Sequence, residues 1–503
     1  MINGLPDEIP GFGPIQSFDR ARLAVDKRRP RPNKVAADLK AAILCSGLRD
    51  GGAISFHHHL RDGDHVVNMV LAELADLGFR DLHVAASSLF PVHGPMVDHI
   101  RSGLITRISS AYIAGPVADA ISRGELQYPA LMQTHGGRAR AIAAGELPID
   151  VAFIAAPSAD SCGNLDGSTG PSACGPLGYA MVDAQYARHV IGITDNLRPY
   201  PLASIDISQD QVDAVVEVPT IGDPAKIVSG TTRVTTDPVA LGIADMAARI
   251  IDASGLLIDG FSFQTGAGGT SLAVAASLAE RMRAKKVVGG FAAGGITGAL
   301  VDMFHEGLFR TLFDVQCFDL DAVASFREDA AHMAMSAALY ASPGGKGCVA
   351  DQLDVMILGA AEVDVDFNVN VSAVSGGRII GGSGGHADTA AGSRLAIVTT
   401  RLRSRSIPKI VSRVECVTTP GETIDVIVTE AGVAVNPRRR DLIDALDAAG
   451  IAMTSIETLH DLAHEGMEAP SVAHNPAAPI VALVQYRDGS IIDVVRRSGA
   501  GRT

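Results

Sequence analysis

Glu362 follows directly on the apolar run Leu353-Asp354-Val355-Met356-Ile357-Leu358-Gly359-Ala360-Ala361 and precedes the alternating stretch Asp364-Val365-Asp366-Phe367-Asn368-Val369-Asn370-Val371. An apolar run this short, bounded by turn signals, predicts a strand buried on both faces of a parallel sheet. Glu362 is then expected at the carboxyl end of a core strand, where open α/β sheets present their chemistry. A carboxylate in that position can attack a thioester carbonyl and expel a thiolate. The step needs water excluded and donors aimed at the developing oxyanion. The glycine-dense turn Gly381-Gly382-Ser383-Gly384-Gly385-His386 offers such donors, because closely spaced N–H groups can approach a ligand with no side chain between. The competing reading is an ordinary solvated carboxylate at a strand end.

Gln264-Thr265-Gly266-Ala267-Gly268-Gly269 joins an expected strand, Gly260 to Phe263, to an expected helix, Ser271 to Arg283. Strand, glycine turn and helix start together make an anion site on the helix dipole, although packing turns share the pattern. The third glycine and downstream acid of a dinucleotide fingerprint are missing, which disfavours NAD. Gly294 and Gly295 close a further glycine cluster that reads equally as close strand–helix packing. His57-His58-His59 invites a metal. Neighbouring residues of a strand face opposite ways, however, and no Cys, carboxylate or H-E-x-x-H stands at ligand spacing, so no metal is expected. With Arg61 the cluster better suits hydrogen bonding to an anionic substrate. His135-Gly136-Gly137-Arg138 is a candidate carboxylate clamp, since Arg binds carboxylates through two parallel hydrogen bonds; a capped turn is the alternative. Arg401, Arg403 and Arg405 alternate along a possible strand and read as a solvated edge.

The elements that must hold these residues alternate between strand and helix. Asp38 to Cys45 reads as a helix, Gly52 to Phe56 as a strand, Val66 to Leu77 as a helix and Leu82 to Ala86 as a strand. That alternation predicts βαβ units and a mostly parallel sheet. An internal repeat organises the chain. Shifted by 204 residues, Ile149 to Ala156 lies over Leu353 to Ala360, and the register continues without a gap through Asp160 over Asp364 and Asn164 over Asn368. The fold class expected is therefore α/β: two similar halves with mostly parallel sheets, related by internal duplication. The boundaries expected are an arm over 1–35, a first domain over 36–215, a connector over 216–237 and a second domain over 238–503. Lys27 to Lys34 makes the arm basic, and Ile480 to Val495 reads as a hairpin around Asp488-Gly489. The repeat breaks where chemistry is expected: Ser158 stands in the first half where Glu362 stands in the second. One active site at the junction of two unequal halves accounts for that asymmetry.

At 503 residues the chain has length for two to four domains. A formal charge of −14 argues against nucleic acid, whose phosphates need a basic face. The six cysteines (Cys45, Cys162, Cys174, Cys317, Cys348, Cys416) form no C-x-x-C pair and read as reduced, buried thiols. The amino terminus shows no basic-then-apolar leader, and the most apolar window, Val287 to Val301, carries five glycines and is too short to cross a bilayer. A soluble, cytoplasmic protein is expected.

The chain resembles the alpha subunits of bacterial citrate lyase. The segments that carry the resemblance are Ser55 to His58, Thr134 to Arg138, Glu146 to Phe153, Gln264 to Gly269, Phe367 to Val371 and Ala431 to Pro437, within a span of about residues 35 to 497. The wider resemblance is to the CoA-transferase fold, in which two similar α/β halves form one active site. It implies an exchange of acetyl-S-carrier and citrate for citryl-S-carrier and acetate, with Glu362 as the catalytic residue: nucleophile, base or orienting charge. The implied partners are a gamma subunit, the acyl carrier with its CoA-like prosthetic group, and a beta subunit that cleaves the citryl thioester, in an oligomer. No cofactor is expected to be covalently bound to this chain. The carrier arm, or acetyl-CoA, is expected against Gln264, Gly266, Gly268, Gly269, Gly294, Gly295, Gly381, Gly382, Gly384 and Gly385. The citrate candidates are His57, His58, Arg61, His135, Arg138 and His386. Two other readings remain: a CoA-transferase or hydrolase acting on free acyl-CoA, with citramalate or another acid, and a non-catalytic metabolite-sensing scaffold.

Overall fold

Two sheets of seven parallel strands, built in the same order, carry the molecule. In the computed structural model, which describes residues 6–11, 13–14, 33–228, 234–374, 376–467 and 476–498, the first sheet is formed by β1 (Ala53–Phe56), β2 (Leu82–Ala86), β3 (Ile105–Ser110), β4 (Ala130–Met132), β5 (Val151–Ala155), β6 (His189–Thr194) and β7 (Ala214–Glu217). The second is formed by β8 (Ser262–Thr265), β9 (Gly289–Ile296), β10 (Phe309–Cys317), β11 (His332–Ala334), β12 (Val355–Gly359), β13 (Leu395–Thr399) and β14 (Val426–Thr429). Across the sheets the strands run 7-6-5-1-2-3-4 and 14-13-12-8-9-10-11. The expected duplication is thus present strand for strand.

β5 and β12, buried through almost their whole length, are the strands that the 204-residue shift overlays. Helices cover both sheets, which is why these strands read as continuous apolar runs without alternation. The repeated Asp and Asn have a local cause. Asp160 accepts from the N–H groups of Cys162, Gly163 and Asn164, and the Asn164 side chain donates back to it at 2.8 Å. Asp364 accepts from Asp366 and Asn368 N–H and from the Asn368 side chain at 3.2 Å. Both halves thus use an aspartate-centred turn to leave the core strand, and the turn dictates the residue types.

The closing hairpin, β16 (Ile480–Gln485) and β17 (Ile491–Arg496), forms as expected but not in the expected half. β16 pairs in parallel with β4 and extends the first sheet. β15 (Gly432–Val435) pairs antiparallel with β14 at the edge of the second. Residues 1–33 are a separate small unit in which Glu8–Ile9 and Gly13–Pro14 pair antiparallel. The basic run from Lys27 to Pro32 lies outside the described residues. Lys34 and Val35, assigned above to the arm, belong to the main unit: Val35 bridges to Val215, and the Lys34 ammonium donates to the Val212 carbonyl at 2.6 Å. Arg401, Arg403 and Arg405 do not form one solvated strand face, because Arg401 pairs with Asp237 and Arg403 donates to the carbonyls of Leu462, Ala463 and Glu465. Four cysteines are buried as expected; Cys45, at the end of its helix, is exposed and Cys162 is half-buried.

Candidate active site

In each sheet the chain reverses its direction of travel between two adjacent parallel strands: β1 and β5 in the first, β8 and β12 in the second. A crevice opens beyond the carboxyl ends of such a pair, and ligands of open α/β sheets bind there. In the second half those ends are Gln264-Thr265-Gly266 and Gly359 to Glu362. The Gly266 N–H donates to the Ile357 carbonyl, which ties the two exits together. The helix Gly269–Lys285 starts at once, two residues earlier than expected, with Gly268 as a cap that has no side chain to offer. A Cβ on Gly268 would meet nothing within 4 Å, so this helix start faces open space.

Glu362 opens a short strand, Glu362–Asp364, immediately after the β12 exit, and is 7% exposed. Residue 362 pairs with residue 370 across an antiparallel register. The carboxylate oxygen Oε2 accepts from the Asn370 side chain at 2.8 Å and from the Glu415 N–H at 3.1 Å. Oε1 has no hydrogen bond to the described residues. Lys409 donates to the Ala360 carbonyl at 2.6 Å and braces the bend that delivers Glu362. Burial lowers the Lys409 ammonium's pKa from its ordinary value, and the Glu362 charge is among those that oppose the shift.

The β1 exit of the first half carries His57-His58-His59 and Arg61. The rings of His57 and His59 stack at 6.1 Å, whereas His58 stacks on His135 at 5.6 Å and lies tilted against Tyr179 at 4.6 Å. Burial pushes His58 well below the ordinary histidine range and brings His59 and His135 to about 3, so these imidazoles are neutral at physiological pH. Arg61 supplies the charge. Its guanidinium lies 5.4 Å from the Phe90 ring of the first half and 4.8 Å from the Phe318 ring of the second. Buried Nη1 of Arg61, Nε2 of His59, Nδ1 of His135 and Oε1 of Gln264 all lack a hydrogen-bond partner among the described residues. A group of buried, unpaired polar atoms at a crevice is the signature of a polar ligand's place.

Arg138, by contrast, is not free. Its two terminal nitrogens donate to Asp183 at 2.9 and 2.7 Å, and one also donates to the Ala85 carbonyl. His57 Nε2 lies 2.9 Å from the same carboxylate. Though buried, Asp183 is held well below the ordinary carboxylate range by Arg138 and His57. The clamp read into Arg138 therefore closes on a carboxylate of the protein itself. His386 is also engaged: Nε2 reaches the Gly359 carbonyl at 3.0 Å and Nδ1 the Thr419 hydroxyl at 2.7 Å. A carbonyl only accepts, so Nε2 carries the hydrogen and Nδ1 accepts from Thr419.

The glycine turn at 381–385 is one place where the halves meet. Gly384 N–H donates to the Ala111 carbonyl, Gly384 O accepts from His135 N–H, and Gly381 O accepts from Ile113 N–H. A Cβ on Gly382 would come within 2.4 Å of the Ala111 carbonyl oxygen, and one on Gly385 within 2.2 Å of the Tyr340 hydroxyl. These glycines allow close approach of backbone and side chain. The hydrogen bonds Glu362 receives come from Asn370 and Glu415 instead of this turn. Gly294 and Gly295 also serve packing: Gly294, at φ +105°, admits the Gln264 side chain, and Gly295 admits the ring of Phe318.

The family described as citrate lyase, alpha subunit (CitF), matches residues 32–498. The citrate lyase alpha chain of Klebsiella pneumoniae is 46% identical over 467 residues, 93% of this chain and 92% of that one. This chain belongs to the citrate lyase alpha-subunit family. The crystal structure of the alpha subunit of citrate lyase from Streptococcus mutans, in complex with citrate, superposes with a TM-score of 0.91 at 46% identity, covering 94% of this chain and 93% of that one. A Pseudomonas malonate decarboxylase hetero-tetramer shares the fold at a TM-score of 0.64 and 18% identity, covering 88% and 87%. The CoA-transferase-like α/β fold is thereby established for this member of the citrate lyase alpha-subunit family.

Reading the residues for reactive types missed several groups that the fold brings to the crevice. Tyr340 accepts a 2.8 Å hydrogen bond from Gln264, and Tyr179 packs between His58 and His135. Asp388 is buried across the interface between the halves, where it accepts from Thr134 Oγ1 at 2.8 Å and from Gly136 N–H at 2.9 Å. Asn370 lay within the quoted motif from Phe367 to Val371 but had no role. None of these shows a spacing that marks it in the sequence; each is recruited by the fold. Asp314, Cys317 and His332 form a fully buried triad that the family resemblance does not suggest. The Cys317 thiol and the His332 ring both lie against Asp314 Oδ2, at 3.0 and 3.2 Å, and the His332 Nδ1 meets Ser325 at 2.9 Å. Its polar atoms satisfy one another as a hydrogen-bonded network.

Proposed function

We propose that this chain exchanges acetate for citrate on a thioester: acetyl-S-carrier and citrate become citryl-S-carrier and acetate. One C–S bond breaks and one forms, and a carboxylate oxygen of citrate is balanced by the oxygen that acetate gains. Membership of the citrate lyase alpha-subunit family supports the reaction. The observation that carries the assignment of Glu362 is that Oε2 is held by two donors while Oε1 has no hydrogen bond to the described residues at the switch-point crevice. Arg61, with the neutral imidazoles of His59 and His135, is proposed to receive citrate carboxylates, for which His58 provides a packing wall. His57, Arg138 and His386 hold the surroundings in place. The CoA-like arm, carried by a separate gamma subunit, is proposed to enter along Gly266, Gly268 and Gly269, where the open helix start suits its anionic groups. A beta subunit then cleaves the citryl thioester within the same cytoplasmic complex.

Exchange between two thioesters is close to isoenergetic, so the site works by placing the reactants; positioning contributes roughly 7–11 kcal/mol to such reactions. The test is Glu362→Gln, assayed with acetylated carrier and labelled citrate while acetate release is followed. A loss of at least about a hundredfold is expected, on the scale of removing one reacting or charge-stabilising group, with an unchanged melting midpoint. A near wild-type rate removes Glu362 from the mechanism.

A further inference from the structure

The duplication exchanges a charge between two paired strands. In the first half Ser158 pairs with Asp166; in the second, at the same register, Glu362 pairs with Asn370. Each pair therefore contains one carboxylate, on opposite strands. The Asp166 carboxylate is fully engaged locally, accepting from the N–H and hydroxyl groups of Ser168 and Thr169. Among the described residues, the Glu362 carboxylate is held through Oε2 only.

Asn370 does the holding, and its own orientation is fixed. Its side-chain carbonyl accepts from the N–H groups of Ser372 at 2.9 Å and Ala373 at 3.1 Å. Its amide nitrogen donates to the Ala373 carbonyl at 2.6 Å and to Glu362 Oε2 at 2.8 Å. A flipped amide would set its NH2 against two donors and its oxygen against two acceptors, so the network admits one orientation. Asn370 is completely buried.

We propose that Asn370 is a positioning residue for acyl exchange, which pins Oε2 of Glu362 so that Oε1 alone is presented to the thioester. The inference rests on the proposed role of Glu362 and adds the group that aims it. It also gives a reason why the second half carries Asn where the first carries Asp. An aspartate at 370 would set two carboxylates a hydrogen bond apart, and such a pair retains a proton. Lys409 and the Cys416 thiol also feel the Glu362 charge, Glu415 adjoins it through its N–H, and Asn370→Asp changes none of these residues.

Asn370→Asp is isosteric and replaces the amide nitrogen that donates to both Glu362 and Ala373 with an acceptor. In the carrier assay its kcat at neutral pH is expected to fall about a hundredfold, the scale of losing one aimed donor, while the citrate KM stays within a few-fold. The acid limb of its pH–rate profile is expected to move up by at least about one pH unit, because the paired carboxylates share a proton. Asn370→Ser, which removes the donor without adding charge, should lower kcat with no such displacement. The double variant Glu362→Gln/Asn370→Asp restores a donor–acceptor pair between 362 and 370 with reversed polarity, while the new carboxylate at 370 still faces the Ala373 carbonyl; its melting midpoint should rise above that of Asn370→Asp while exchange stays abolished. A wild-type kcat and pH profile for Asn370→Asp, or midpoints that merely add in the double variant, would overturn the inference. If Asn370→Asp fails to fold, the Asn370→Ser kcat and the double-variant midpoint decide. Glu362→Gln measured alongside separates the two claims: if it keeps near wild-type exchange, the reading of Glu362 fails, whereas an inactive Glu362→Gln beside an unaltered Asn370→Asp removes the role of Asn370 alone.

Discussion

Arg61 and Arg138 carry the same guanidinium into the same crevice, and only their partners separate their tasks. Arg138 is buried with Asp183 in a two-pronged pair. Removing one member of such a pair leaves the other buried and uncompensated, which destabilises a protein by roughly 3–5 kcal/mol. Arg138→Met is therefore expected to lower the unfolding free energy by that order, measured in urea. Arg61 rests on two aromatic rings, and its Nη1 has no hydrogen-bond partner among the described residues, so Arg61→Ala should leave that free energy nearly unchanged. It should instead raise the citrate KM about 10- to 100-fold, as one charge-assisted hydrogen bond of roughly 1.5–3 kcal/mol is lost. An unchanged KM in Arg61→Ala would remove it from the citrate site. The sequence offered both arginines as anion ligands and held no means of ranking them, because Asp183 stands 45 residues from Arg138 and meets it only through the fold. The placement of Glu362 just beyond a core strand was legible for a different reason. A core strand buried on both faces has a composition of its own, and the repeat marks a strand end where Glu362 stands opposite Ser158.

At the scale of elements, the helix His386–Gly392 caps another helix across the interface between the halves. Asp388, in its first turn, receives the Thr134 hydroxyl and the Gly136 N–H at the start of helix His135–Ala143, and so fixes the helix start that holds His135 in the crevice. Burial raises the Asp388 carboxyl to about 6, against the pull of these donors and of Arg487. An unfolded aspartate releases its proton near pH 4. A folded-state value above the unfolded one gives stability that is fully present below pH 4 and is lost as pH rises through 6. The unfolding free energy of the wild type relative to Asp388→Asn is thus expected to fall by roughly 2–3 kcal/mol between pH 4 and 6 and to be level from pH 7 to 8. Urea unfolding of both proteins across that range tests this, and a difference that grows with pH would contradict it. Much of this scale was legible. Leu82–Ala86 was bounded correctly because β-branched and small residues stop at Ser87, and Asp38 announced its helix by capping it through Ala41 N–H. The strand expected at Gly260 to Phe263 lies two residues later, at Ser262–Thr265, because Gly260, at φ +87°, belongs to the entering turn. Gln264 and Thr265, read as loop, are the strand's last residues, placed there by pairing with β9 and β12.

Seen whole, the molecule is two copies of one sheet with a crevice on each, and the final hairpin crosses from one copy to the other. The sequence showed a hairpin but not its destination, since an edge strand's composition does not record which sheet it joins. β16 lies along β4 of the first half, while Arg487, in the hairpin turn, donates to Asp351 and to the Ala341 carbonyl of the second and sits 3.8 Å from Asp388. The turn is thus tied to the buried carboxylate that caps the His135 helix. This arrangement predicts that the hairpin couples the two halves during unfolding as well as in the native state. Arg487→Met should lower the unfolding free energy by roughly 3 kcal/mol, because Asp388 keeps its burial and loses its nearest cation. Removing residues 476–503 should go further, baring the β4 edge and every Arg487 bond, so that one calorimetric transition separates into two as each half unfolds on its own. A shortened chain that still melts in a single transition at the wild-type midpoint would show that the contacts between the halves outside the hairpin, such as Gln316 to His58 and Gly384 to Ala111, suffice to couple them.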